Sequence, residues 1–242
     1  MSKNTQSYGQ AQKGLLHAMV NALSFFISHF LVKKSQFAFL ALCFLGTQTM
    51  SSPQTTSSSK KKTEIAYIAA GCFWCIQKDM DKVDGVISTE VGYIGGSKDT
   101  ATYELVSKGG SGHYEALKVE FDPQKLSYSD ILDVFWVNHD PFDKKGQFCD
   151  KGQQYKAAIF PTSKEQKAAA NKSLEKAKKH LDSKGQKETI ATVIAEAGSF
   201  FPAEPYHQKY YKKNPIRYGF YRQTCGRDRR LKDIWGDLKK LS

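Results

Sequence analysis

The apolar run Ile65 to Ala70 ends at Gly71-Cys72, and from Phe73 to Val83 the pattern turns helical, with Lys and Asp outward. A strand over Glu64 to Ala70 therefore feeds directly into a helix, with a cysteine at the junction. Such a junction predicts an α/β chain. It also places the Cys72 thiol near a helix N-terminus, where unsatisfied amide N–H groups and the helix dipole stabilise negative charge and lower a thiol pKa from about 8.5 towards neutrality. A thiolate is a nucleophile, and Phe73 and Trp74 beside it offer on the order of 150–250 Å² of apolar surface each to wall a small apolar group. An inert cysteine buried in a core helix that begins with aromatics would leave the same local pattern.

Cys75 lies three residues on, and a C-x-x-C spacing puts both sulfurs on one helical face. Three readings compete: a redox pair, half of a zinc site, or a nucleophile with a second thiol nearby. Structural zinc takes about four ligands. The other cysteines, Cys43, Cys149 and Cys225, are single and scattered, with no second C-x-x-C and no paired histidines, which disfavours zinc.

The 242 residues carry a formal net charge of +12. Residues 1–62 hold seven lysines and no Arg, Asp or Glu, so the excess is mainly theirs and only +5 belongs to residues 63–242. No Arg-rich helix or basic-aromatic repeat argues for nucleic acid. Within 1–46, Leu15 to Val32 is interrupted by His17, Asn21 and His29, and Lys33-Lys34 precede a second apolar run, Phe37 to Gly46. That run has the length of a signal-peptide core and is too short to span a bilayer, so it reads as an export signal; a membrane anchor is the alternative if both runs insert. Export to the periplasm or the exterior follows, or a cytoplasmic location if the leader is a misassigned start; Met19 is an alternative initiator. Cys43, preceded by Leu42, is read as apolar filler. Residues 47–62 are rich in Ser, Thr and Lys and read as a flexible tether. Folding then begins near Thr63, and residues 63–242 suit one domain, read as a monomer.

In that domain strands are predicted at Val86 to Tyr93, His113 to Phe121, Tyr155 to Phe160 and Glu188 to Ala195. Helices are predicted at Thr102 to Ser107, Tyr128 to Asn138, Ser163 to Lys184 with Ser163 as cap, Tyr206 to Lys212 and Arg227 to Leu238. The fold class is a two-layer α/β domain with a mixed sheet and a long irregular C-terminal wrap. No phosphate-cradling glycine motif is present, so nucleotide chemistry has no support. Glu115 shares a strand face with Leu117, Val119 and Phe121, and a carboxyl facing inward holds its proton at neutral pH and can serve as a general acid. A solvated or lysine-paired Glu is the plainer alternative. Tyr103, Asp150 and Tyr155 stand in turn-like or Gly-flanked segments as hydrogen-bonding candidates.

The segments GCFWC, VGYIGG, TYELV, GHYEALKVEFDP, FWVNHDPF, QFCDKGQQYKAAIF and AEPYHQKYYKKNP, in that order, resemble peptide methionine sulfoxide reductase of the A type from about Ile65 to Trp235. The resemblance implies a sandwich of ferredoxin-like character and repair of oxidised methionine of S configuration at sulfur. It implies Cys72 as nucleophile, Phe73 and Trp74 as holders of the substrate methyl, Glu115 as proton donor, Tyr103 and Tyr155 as donors to the sulfoxide oxygen, and Asp150 as the group that orders a water or hydroxyl. It further implies no bound cofactor, a sulfenic acid on Cys72, and an external dithiol such as thioredoxin. Cys75 and Cys225 are the candidate resolving thiols, favoured over Cys149. Gln77 stands where the family often has Glu, which puts an ionic role there in doubt. A thiol-disulfide oxidoreductase using Cys72 and Cys75 is the competing enzyme reading, and a binding module with a structural disulfide is the non-enzymatic one.

Overall fold

The computed structural model describes residues 63–241, so the leader expected over 1–46 and the tether over 47–62 lie outside the described residues. In chain order the elements are β1 (Glu64–Ala70), α1 (Phe73–Met80), β2 (Val86–Ile94), α2 (Tyr103–Ser107), β3 (Tyr114–Phe121), α3 (Tyr128–Trp136), β4 (Gly146–Gln147) and β5 (Asp150–Lys151). They continue with β6 (Ala157–Phe160), α4 (Lys164–Ser183), β7 (Val193–Ile194), β8 (Phe200–Pro202), α5 (Tyr210–Lys213), α6 (Pro215–Thr224) and α7 (Arg227–Trp235).

The main sheet runs β7-β6-β1-β3-β2-β8; β6 and β7 are parallel and every other pairing is antiparallel. This is the expected mixed sheet. On one face Ala66, Ile68, Val91, Leu117, Val119 and Phe121 are sealed against Phe73, Ile76 and Met80 of α1 and Ile131, Leu132 and Phe135 of α3. The alternation in β3 is what puts Leu117, Val119 and Phe121 inward, and Glu115 with them. Trp136 closes α3 onto α4 through its indole N–H, which donates to Ser173 Oγ at 3.0 Å, so a buried polar atom is satisfied rather than left orphaned. The far face is thinner, with Ala69, Ile94, Ala116, Ala158 and Phe160 covered by Tyr67, Tyr114 and Phe200. No helix among the described residues is long and apolar enough to cross a membrane.

Local signals account for the helix starts. Ser127 and Asp130 form a reciprocal capping box ahead of α3, and Ser163 Oγ accepts from the Gln166 amide to open α4. Elsewhere the structure departs from the expectations. The strand expected at Glu188 to Ala195 is only Val193–Ile194, because Ala191 N–H donates to Pro141 O and Thr192 Oγ1 pairs with the buried His139 Nε2, bonds that take the segment off the ladder. The strand expected from Tyr155 starts at Ala157, since Gln153–Tyr155 is a 3₁₀ turn. A helix expected from Tyr206 begins at Tyr210 because Lys209 is left-handed, at φ 53°. The last helix stops at Trp235, before Gly236. The C-terminal wrap also contains α6, which opens on Pro215 at its first position, and β8, which lies against β2. Gly92 permits that pairing: a Cβ there would lie 2.3 Å from Phe201 O.

Candidate active site

Gly71 carries φ 82°, and a Cβ on it would sit 2.5 Å from Gln147 Cβ. Gln147 cannot easily yield, because its amide exchanges two 2.8 Å bonds with the backbone of Asp140. A residue with a side chain is thus excluded at Gly71, and the chain turns sharply from β1 so that Cys72 becomes the N-cap of α1, as expected. Cys72 is buried, at 6% exposure, and Cys75 lies one turn on at 2%.

Glu115 faces the same point. Its Oε2 accepts the Phe73 amide N–H at 3.0 Å, which makes it a carboxyl at the helix N-terminus. Burial, opposed by that hydrogen bond, still pushes its pKa up to about 8, so it is mostly protonated at pH 7. The inward acid predicted from strand alternation is therefore the observed one. Burial and the neighbouring charge of Glu115 raise Tyr103 and Tyr155 as well, so both phenols remain hydrogen-bond donors. Both also feel the charges of Cys72 and Asp150, which sets all five predicted polar residues in one electrostatic locus. Asp150, on β5, is raised by burial and accepts the Tyr221 hydroxyl on Oδ2.

The thiols correct one expectation. Cys72 is not lowered: burial, the hydrogen bond to Cys75, and the charges of Cys75, Glu115 and Asp150 push it well above the ordinary thiol value. The helix N-terminus is outweighed by a dry pocket already carrying acids. Charge settles on Cys75 instead, lowered to about 7 chiefly by the hydrogen bond from Cys72 and further by Arg227 and Arg222. Between pH 7 and 8 the site thus holds a thiolate and a protonated carboxyl together.

The aromatic wall is larger than Phe73 and Trp74. His207, buried, takes the Trp74 indole N–H on Nδ1 at 3.1 Å and packs against Phe73 at 5.1 Å and Tyr103 at 4.4 Å between ring centres. Burial lowers its pKa and keeps it neutral, as an acceptor from Trp74 requires. Tyr210 stacks on the other side of Trp74 at 3.9 Å, and Tyr221 meets it edge-on at 5.9 Å. Glu204 accepts the Tyr103 amide at 2.8 Å and the Tyr93 hydroxyl at 2.9 Å, pinning the start of α2 to β2. Gln77, fully buried, accepts the Lys209 amide at 2.8 Å, so a neutral amide does the tying there. His207, Glu204, Tyr210, Tyr218 and Tyr221 carried no individual prediction; the first three stand inside the segment AEPYHQKYYKKNP that carries part of the resemblance, and for Tyr218 and Tyr221 the signal is the density of aromatics after Ser199.

Cys225, one of the two resolving candidates, is joined to Cys149 in a disulfide. Cys72 and Cys75 are free. The Cys149, Asp150 and Cys225 ligand atoms lie within 4.8 Å of one another, but with the sulfurs joined they do not offer thiolates to a metal. Two residues beyond Cys225, Arg227 is buried, donates to Ala70 O at 3.2 Å and to Asn138 O, and stacks on Phe148 at 4.7 Å, anchoring that segment against the end of β1.

A thiol pair, a neutral acid, phenolic donors and an apolar aromatic wall on one spot suit reduction of a sulfoxide. The comparisons agree. A family model described as peptide methionine sulfoxide reductase matches residues 64–239. The chain is 46% identical to peptide methionine sulfoxide reductase MsrA 2 of Caulobacter vibrioides over 175 residues, 72% of this chain and 87% of that one. It is 42% identical to the MsrA/MsrB protein of Vibrio cholerae over 83% of this chain, spanning 52% of that longer relative. Among solved structures it is similar to methionine sulfoxide reductase A of Corynebacterium diphtheriae, with a TM-score of 0.59 and 30% identity over 65% of this chain and 78% of that one. Mxr1 from Saccharomyces cerevisiae in reduced form gives a TM-score of 0.57 at 32% identity, covering 67% and 92% of the two chains. With that match across the folded region and that site beneath it, the chain belongs to the peptide methionine sulfoxide reductase family.

Proposed function

We propose that this chain reduces methionine S-sulfoxide, free and in proteins, by nucleophilic attack of Cys72 on the sulfoxide sulfur. The observation that carries the reading is the Phe73 amide and the Glu115 carboxyl meeting at the turn that holds Cys72. A sulfoxide sulfur is a poor electrophile until its oxygen is protonated, and Glu115, with a pKa of about 8, supplies that proton at neutral pH. Cys75, at about 7, takes the Cys72 proton as the attack proceeds. Tyr103 and Tyr155 donate to the same oxygen, Asp150 orders a hydroxyl beside it, and Phe73 and Trp74 hold the methyl group. Oxygen passes from the substrate sulfur to Cys72, leaving methionine and a sulfenic acid.

Cys75 is the first resolving thiol on this reading, since it already contacts Cys72, whereas Cys225 is engaged with Cys149. Its attack on the sulfenic acid releases water and leaves a Cys72–Cys75 disulfide. A thioredoxin-like dithiol resets the enzyme, and the leader over 1–46 directs export or anchors the chain, placing the activity outside the cytoplasm as repair of oxidised methionine. The test is turnover of each separate methionine sulfoxide epimer by the full chain with dithiothreitol. Turnover of the S epimer alone is expected. No turnover of either epimer, with disulfide exchange present, would replace the reading by a thiol-disulfide oxidoreductase.

A further inference from the structure

A buried polar chain runs from the C-terminal helices to Cys75. Tyr218, on the inner face of α6, is 2% exposed and packs with Cys72 and Cys75 in one cluster. Its hydroxyl lies within hydrogen-bonding reach of the Cys75 sulfur. One helical turn on, Arg222 Nη1 donates to the Tyr218 oxygen at 3.1 Å. The same nitrogen donates to Asp79 Oδ2 of α1 at 2.9 Å, while Nη2 and Nε close on Asp228 of α7 at 2.6 and 2.9 Å. Three helices thus fix the guanidinium against the phenol.

The direction of these bonds follows from the groups themselves. A guanidinium only donates, so the Tyr218 oxygen accepts from Arg222 and its own proton points elsewhere. The phenol keeps that proton, because burial and then the charge on Cys75 hold its pKa far above neutral. The acceptor in reach is the Cys75 sulfur, which thereby takes two donors, the Cys72 thiol and the Tyr218 hydroxyl. Hydrogen bonds donated to a sulfur favour its thiolate. Other charges also face this point: Arg227 of α7 and Arg222 act on Cys75 through their charge, Glu115 of β3 and Tyr221 of α6 feel the Cys75 charge in return, and Lys78 of α1 lies 4.9 Å over the Tyr218 ring.

We infer that Tyr218 and Arg222 are a positioning pair that seats the Cys75 thiolate: Arg222 orients the phenol, and the phenol O–H holds the negative charge on Cys75 while the Cys72 thiol meets the substrate. Resting on the reductase reading, this equips Cys75 for two tasks. Its thiolate accepts the Cys72 proton as Cys72 attacks. As a thiolate again, it attacks the Cys72 sulfenic acid; the sulfur–sulfur bond forms, the sulfur–oxygen bond breaks, and the hydroxide leaves as water with the proton that Cys75 has given up.

The pair is tested on the enzyme without substrate, so the result does not depend on sulfoxide turnover. The full chain is labelled with carbon-13 at the cysteine Cβ, with Cys72 and Cys75 reduced and the Cys149–Cys225 bond intact. The Cys75 signal, assigned by its absence from Cys75→Ser, is followed from about pH 5 to about pH 9, and in the parent its midpoint is expected at about 7. Tyr218→Phe keeps the ring and removes only the O–H; the proton affinity of Cys75 should rise at least about threefold, and a smaller rise overturns the seat. Arg222→Gln should raise it too, and by less in the Tyr218→Phe background than in the parent, since the guanidinium acts in part through the phenol. Equal rises in both backgrounds would overturn the relay and reduce Arg222 to a charge acting through space. A parent whose Cys75 signal titrates as expected but which forms no methionine would count against the reductase reading and leave the pair standing.

Discussion

Replacing Glu115 with Gln removes the proton on which the acid's role depends. The carboxyl is fully buried and its folded pKa is about 8 against an ordinary 4.5. Between those values the folded chain holds a proton that the unfolded chain has released, so stability must fall as pH rises from about 4.5 to about 8. The full rise from 4.5 to about 8, at about 1.36 kcal/mol for each factor of ten in proton affinity, approaches 5 kcal/mol, of which roughly 3 to 4 kcal/mol develops between pH 5 and pH 8. Gln keeps the shape and can still accept the Phe73 amide, but it does not titrate. Reversible urea unfolding of both proteins at pH 5, 6, 7 and 8 measures the difference, and the other titrating groups are common to both and cancel to first order. The variant should gain on the parent at each step, by roughly 3 to 4 kcal/mol in all, while sulfoxide reduction slows about 10² to 10⁴-fold. A stability difference constant to within about 1 kcal/mol would mean that Glu115 ionises normally in the folded chain, and the proton-donor argument would fail with it.

Cys72→Ser should abolish turnover of methionine sulfoxide in a single-turnover assay while leaving the Cys149–Cys225 disulfide in place; retained methionine formation would remove Cys72 as nucleophile. Trp74→Ala takes away the ring held between Tyr210 and His207, and KM for a sulfoxide should rise about tenfold or more, measured with the S epimer. Leu117→Ala, at a fully buried position in the central strand, should cost about 2 to 5 kcal/mol in urea unfolding without moving the pH profile of activity.

Much of the site was legible because its residues obey short-range rules. The switch from Ile65–Ala70 to a helical pattern fixes a turn at Gly71, and Cys72 is where the helix begins. Period-two alternation in β3 is enough to send Glu115 inward with Leu117 and Val119. The cap at Ser163 and the spacing of Ile131, Leu132 and Phe135 locate α4 and α3 in the same way. Misreadings gather where bonds are long-range. Val193–Ile194 is short because Pro141 and His139 compete for the residues before it, and helix α5 starts late because Gln77, 132 residues away, holds the Lys209 amide.

The sequence alone determined which chemistry is available: a thiol at a strand-to-helix turn, an inward carboxyl, and aromatic side chains beside them, all consequences of local periodicity and turn geometry. Only the tertiary structure decided how that chemistry is poised. Burial by distant segments lifts Glu115 to about 8 and raises Cys72, because desolvation depends on everything packed around a group and not on its neighbours in the chain; Arg227 and Arg222, brought in by the C-terminal helices, help to lower Cys75. It likewise paired Cys225 with Cys149 across 76 residues and laid Tyr221 on Asp150, contacts set by where the C-terminal helices come to rest, which no local pattern encodes.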